Sequence, residues 1–64
     1  MPSVNSSAIS YVEYDWNSAR LYITFRSGGT YTFYHVPGDI YEGLVNAASP
    51  GMYYHVYIWR RYGP

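Results

Sequence analysis

The stretch Arg20-Leu21-Tyr22-Ile23-Thr24-Phe25-Arg26-Ser27-Gly28-Gly29-Thr30-Tyr31-Thr32-Phe33 decides how this chain folds. Its first seven residues alternate: Leu21, Ile23 and Phe25 take one face, and Arg20, Tyr22, Thr24 and Arg26 take the other. That period of two is the mark of a half-buried strand. Ser27-Gly28-Gly29 supplies a hairpin loop whose glycines tolerate positive φ. Thr30 to His35 then forms the return strand. A three-residue loop pairs Phe25 with Tyr31 and Ile23 with Phe33, which gives a core face of Leu21, Ile23, Phe25, Tyr31 and Phe33.

Toward the N-terminus, Ile9 to Tyr14 is rich in β-branched and aromatic residues and predicts a first strand. Asp15 to Ala19 supplies its turn. A four-residue loop, Trp16 to Ala19, sets Tyr14 opposite Leu21 and Val12 opposite Ile23, again apolar against apolar. The opposite face then carries Tyr11, Glu13, Tyr22, Thr24, Arg26, Thr32 and Tyr34. Residues 1–7 are polar and expected to be a flexible lead to a single domain over 8–64.

Toward the C-terminus, Val36-Pro37-Gly38-Asp39 ends the sheet. Ile40, Tyr41, Leu44, Val45 and Ala48 recur at helical spacing, so a helix is expected from Pro37 or Gly38 to Ala48. Ser49-Pro50-Gly51 breaks it and can open a second helix, with Ser49 as N-cap and Pro50 at the first position. That helix would carry Tyr54, Ile58 and Tyr62 on one stripe and Tyr53, Tyr57 and Arg61 on the next. A fourth strand over 53–59 is the competing assignment, since these residues are strong β-formers. The expected fold is α+β: a three-stranded antiparallel β-meander followed by two short helices packed on one face.

Sixty-four residues make one small domain with a thin stability margin. Without cysteine it has no disulfide or thiolate metal site, so aromatic packing and self-association are the supports left to it. Ten tyrosines exceed what so small an interior can hide. Several are therefore expected to face a ligand, a partner or a second copy of the chain. The formal net charge is zero and all four cations are arginine. A duplex-DNA binder draws its affinity from a basic surplus, which is missing here. No stretch has the length of a signal peptide's apolar region or a membrane span, so a cytoplasmic protein without membrane contact is expected.

No catalytic pattern stands out. The two histidines, His35 and His55, lack the spacing of a metal pair, and the four carboxylates form no acid–base pair. Gly28-Gly29 is explained by the hairpin, and no serine sits in a nucleophile elbow. No enzyme, metal or cofactor is expected. The open sheet face is more informative, because it interleaves rings, hydroxyls and a guanidinium as single-strand-binding platforms do. On this reading Tyr11, Tyr22 and Tyr34 stack on a base and Arg26 meets phosphate. Trp59, Arg60 and Arg61 would assist from the C-terminal cluster, with cation–π help. The expected partner is a nucleotide or single-stranded RNA, and neutral charge favours the smaller ligand. A chain that holds a nucleotide without turning it over would act by sequestration, an inference by analogy with some phage counter-defence proteins. The alternative is a homo-oligomer or protein-interaction domain that buries the same rings against a second subunit.

Six pieces resemble the KTSC family, a domain of about sixty residues at the C-terminus of some lysyl-tRNA synthetases and in stand-alone bacterial and phage proteins. They are Ser6-Ser7-x-Ile9, Tyr14-Asp15, Leu21-x-Ile23-x-Phe25-x-Ser27-Gly28-Gly29, Tyr31-x-Phe33, Val36-Pro37-x-x-Ile40-Tyr41-x-x-Leu44 and Ala48-Ser49-x-Gly51-x-Tyr53-Tyr54-x-x-x-Ile58. The likeness covers nearly the whole chain and implies RNA binding, with no general activity attached. The family's central Tyr-x-Tyr is Tyr31-Thr32-Phe33 here, which the expected register places in the core. The family's basic C-terminal segment is replaced by Met52, His55, Val56 and Trp59, which shifts weight toward a protein interface or a small aromatic ligand.

Overall fold

The computed structural model describes residues 7–63; the expected flexible lead lies, apart from Ser7, outside the described residues. Three antiparallel strands follow one another across the sheet in chain order: β1 (Ile9–Asp15), β2 (Arg20–Phe25) and β3 (Thr30–Phe33). Two helices follow, α1 (Gly38–Asn46) and α2 (Pro50–Tyr57). The α+β meander with two short helices is thus the architecture of this chain. The segment 53–59 is helical as far as Tyr57.

The first hairpin has the expected register, with Tyr14 opposite Leu21, Val12 opposite Ile23 and Asp15 opposite Arg20. The amide of Ala19 closes the four-residue loop onto the Asp15 carbonyl at 2.8 Å, and Ala19 itself takes a left-handed φ of 58°. Farther along β1 the register shifts between Ile9 and Tyr11. Ile9 pairs with Phe25 while Tyr11 pairs with Thr24, so Ser10 is the extra residue of a β-bulge. The bulge resets the alternation. It lets Ile9 and Val12 both point into the core while Tyr11 stays on the other face.

The second hairpin differs from the expected register by two residues. Ile23 pairs with Tyr31 and Leu21 with Phe33, and the last pair is Thr24 with Thr30. The connection therefore runs from Phe25 to Gly29. It is closed by the Phe25 amide on the Gly29 carbonyl at 3.1 Å and the Gly28 amide on the Phe25 carbonyl at 3.0 Å. Gly28 and Gly29 both have positive φ, 114° and 88°, as the turn demands. An even shift preserves the faces, because side chains alternate with period two. It changes neighbours, however. Tyr31 is not a core residue: it is 49% exposed and stands at the sheet's edge.

The helices cover the Leu21 and Ile23 side. Ile9, Val12, Leu21, Ile23, Phe33, Val36, Leu44 and Ile58 are fully buried there, each worth about 1.5–3 kcal/mol in transfer from water. Tyr14, Phe25, Ile40, Tyr41, Val45, Tyr53, Tyr54 and Tyr62 pack around them. The Tyr14 hydroxyl donates to the Val36 carbonyl, and its ring stacks on Tyr41 at 4.7 Å, which pins β1 to α1.

Both helices end earlier than expected. α1 stops at Asn46, because Ala47 is already extended (ψ 143°) on the approach to Ser49-Pro50, and this leaves Ala48 outside the helix. α2 begins as anticipated, with the Ser49 side chain accepting from the Met52 amide and Pro50 in the first turn. It ends at Tyr57, and Arg60 takes a left-handed φ of 73°. The turn carries the chain back to the sheet, where the Tyr34 amide donates to the Tyr62 carbonyl at 3.2 Å. Arg61 and Tyr62 therefore belong to this return turn and not to helical stripes.

Candidate functional site

The sheet face away from the helices is built by parity. Glu13 lies opposite Tyr22, which lies opposite Thr32; Tyr11 lies opposite Thr24, which lies opposite Thr30. Tyr11, Tyr22, Thr24 and Thr32 are half-buried by one another. The Thr24 and Thr30 hydroxyls share a 2.8 Å hydrogen bond, and the Ser10 hydroxyl donates to the Thr24 carbonyl at 3.1 Å. Tyr34, just past β3, is 49% exposed.

Arg20 stands on this face as a cation. The Arg20 guanidinium lies 5.6 Å from the Tyr34 ring centroid, within cation–π range. Asp15, its neighbour across the hairpin, has its carboxyl held below the usual range. The Ser18 hydroxyl and the Asn17 amide are the main causes, with a smaller pull from Arg20. The Arg26 amide donates to the Ala8 carbonyl at 2.9 Å, next to the Ile9–Phe25 pair, and Arg26 is exposed. Arg20 and Arg26 lie at opposite ends of β2, Arg26 just beyond its last residue.

The C-terminal candidates lie elsewhere. Trp59 belongs to the helix side of the sheet, where it walls a cavity of 290 Å³ with Phe25, Ser27, Tyr31, Phe33 and Tyr54. His55 stacks on Trp59 at 4.9 Å, and the Arg60 guanidinium lies 4.7 Å from the same ring centroid. Arg61 is exposed in the return turn, with its amide on the Ile58 carbonyl. Five of the seven expected site residues fall in two places, and Arg26 and Arg61 are exposed outside both. Tyr11, Tyr22 and Tyr34 occupy the open face, while Trp59 and Arg60 adjoin the cavity. Arg20 and the cavity rings other than Trp59 were not among them. Arg20 had a signal, its alternation with Tyr22. The cavity had none, because it joins a loop to a helix distant in sequence.

The cavity's rings meet edge to face. Phe25 contacts Tyr31 at 5.7 Å and Tyr54 at 5.1 Å, and Phe33 contacts Tyr54 at 5.7 Å. Burial pushes the Tyr54 hydroxyl's pKa up, with a smaller contribution from Tyr31. Both places bring rings and hydroxyls together. His35 is exposed with φ 57° at the end of the sheet. Among the described residues no three His, Cys, Asp or Glu side chains gather to hold a metal ion. No helix there is long and apolar enough to cross a membrane.

Comparison with known proteins bears on the fold as a whole. A protein of Tsukamurella paurometabola is 38% identical over 53 residues, which are 83% of this chain and 79% of that protein. The crystal structure of a KTSC domain protein from Yersinia pestis superposes with a TM-score of 0.92 at 31% identity, covering 95% of this chain and 86% of the other. The family model of the KTSC domain matches residues 5–62. Sequence and architecture agree, and the chain belongs to the KTSC domain family.

Proposed function

We propose that this chain is a non-catalytic binding module for a nucleotide or a short single-stranded nucleic acid, with the open sheet face as its platform. The observation that carries the reading is the Arg20 guanidinium over the Tyr34 ring on the face that also presents Tyr22 and the threonine hydroxyls. A stacked base would lie on Tyr22 or Tyr34 and a phosphate would meet Arg20, while Tyr11, level with Thr24 and Thr30, borders the face at the corner away from Tyr34. Arg61 is the candidate assisting cation, since it precedes Tyr62, whose carbonyl takes the Tyr34 amide. Zero net charge favours a small ligand over a long strand, because little counterion release is available. A cytoplasmic module of this kind would act by holding its ligand out of circulation.

Aromatic stacking is worth about 1–3 kcal/mol per base, so losing one ring costs roughly five- to 150-fold in affinity. Calorimetric titration with adenosine monophosphate and with a short oligouridylate tests the reading. Tyr22→Ala and Tyr34→Ala should each weaken binding at unchanged solution mass and far-ultraviolet spectrum. Failure of both probes to bind the wild-type chain would remove it.

One observation favours a second reading, a homo-oligomer. The outer surface of α2 exposes Met52 (64%), Val56 (48%) and Tyr57 (47%) with no charged side chain among them. Light scattering separates the readings. A discrete oligomer converted to monomer by Met52→Asp or Val56→Asp makes α2 a subunit interface.

A further inference from the structure

The helix-side cavity is a separate feature from the open face. Phe25, Tyr31 and Phe33 have odd positions on the paired strands and point toward the helices, whereas Tyr22 and Thr32 point away. The cavity exists because three elements meet without filling the space between them. The Phe25–Gly29 connection brings Ser27 to one side. Gly29 takes the φ of 88° that the turn needs, and the Tyr31 ring lies beside it at ordinary contact distance. α2 brings Tyr54, and the turn after it brings Trp59.

Size and chemistry then narrow the occupant. The volume, 290 Å³, is at the bottom of the range of about 300–1,000 Å³ that encloses drug-sized ligands. A cavity of about 150 Å³ already holds a benzene ring, so this one takes a planar bicyclic group and excludes a folded chain. Five of its six lining residues are aromatic, and the edge-to-face contacts among Phe25, Tyr31, Phe33 and Tyr54 fix their planes before any ligand arrives. Trp59 is likewise held by the His55 stack and the Arg60 guanidinium. Among the described residues no carboxylate or arginine lines the cavity, and its phenols and the Ser27 hydroxyl can donate.

We propose that this cavity is a binding site for a neutral, planar, bicyclic heteroaromatic ring with hydrogen-bond acceptors on its edge, the chemistry of a purine base. The ring would sit among Phe25, Tyr31, Tyr54 and Trp59, and the phenol and serine hydroxyls would donate to its ring nitrogens. The site does not depend on the open face. A ligand could occupy either one alone.

The test is a titration of the intact chain with adenosine, followed by amide and aromatic-ring resonances. Expected are saturable shifts at Ser27, Tyr31, Tyr54 and Trp59, and at least about a tenfold weakening in both Tyr31→Ala and Trp59→Ala. Both side chains are nearly half exposed, 49% and 43%, so their loss leaves the buried core in place. Ser27→Tyr, in the exposed loop, should block the mouth and abolish the shifts without disturbing the fold. Glu42→Gln, exposed on α1 and outside the cavity lining, should leave the cavity shifts unchanged. Absence of shifts at the cavity residues at millimolar adenosine overturns the proposal. So do shifts confined to Tyr22 and Tyr34, which would assign the nucleoside to the open face and keep that reading intact.

Discussion

Substituting Gly43 probes the packing of α1 on α2, because two effects of opposite sign meet there. Gly43 lies inside α1, where alanine is favoured over glycine by about 1 kcal/mol. A Cβ at this position would stand 2.1 Å from Tyr53 Oη, 2.6 Å from Cζ and 2.9 Å from Cε2. Carbon atoms in contact rest at about 3.5–4.0 Å, so the Tyr53 ring must retreat by roughly an ångström or more. It cannot retreat freely, since it packs on Tyr57 at 4.7 Å and on the core. Overpacking of this kind costs about 1–3 kcal/mol. Gly43→Ala should therefore destabilise the chain by about 1 kcal/mol net, a fall in melting temperature of roughly 4–8 °C. Removing the ring reverses the sign. In a Tyr53→Ala background the three closest atoms are gone, and helix propensity should stabilise the protein by up to about 1 kcal/mol. Urea unfolding of the four proteins gives the cycle, with an expected coupling of about 1–3 kcal/mol. A Gly43→Ala effect of the same sign and size in both backgrounds refutes the reasoning.

Three further outcomes follow from local geometry. Ala19, at φ 58°, holds a conformation that costs an L-residue about 1–2 kcal/mol, partly offset by the unfolded-state freedom that glycine adds; Ala19→Gly should raise the melting temperature by a few degrees. Tyr14→Phe leaves the Val36 carbonyl without its hydroxyl donor and should cost about 1–2 kcal/mol in urea unfolding, with the Tyr41 stack retained. The pKa values of Tyr14, Tyr41, Tyr53 and Tyr54 are all raised above the ordinary 10.0, with burial the largest cause in each. A raised folded pKa means that stability is complete below the unfolded value and lost as pH rises through the folded one. Melting temperature should therefore hold level to about pH 9 and fall steeply above 10, with tyrosinate absorbance rising in the same transition.

The alternation in Arg20 to Phe33 was enough to assign faces, because a hairpin slip of two residues leaves every side chain on its own side. It could not fix the loop length. Gly28 and Gly29 satisfy a short loop as readily as the longer connection from Phe25 to Gly29 that forms. The bulge at Ser10 was equally silent, since a single serine between two strand-formers carries no signature. Helix α2 began where Ser49-Pro50 said it would, but its end was hidden. The segment after Tyr53 is almost uniformly apolar or aromatic, so periodicity shows no change at Tyr57, and the left-handed residue that turns the chain is Arg60, not a glycine.

These silent features shape both candidate sites. Pairing of β2 with β3 ends at Thr24–Thr30, and at the far end of β2 the Arg20 guanidinium lies over Tyr34 on the open face. The same shift takes Tyr31 out of the direct cross-strand pair with Phe25 and sets the two rings edge to face at 5.7 Å. The space beside them is bounded by Ser27 and Phe33 and by Tyr54 and Trp59, which come from α2 and the turn that follows it. A three-residue loop would have filled the region with a packed Phe25–Tyr31 pair. The cavity is therefore a consequence of loop length, and shortening the Phe25–Gly29 connection should close it while leaving the alternation of β2, and with it the open face, unchanged.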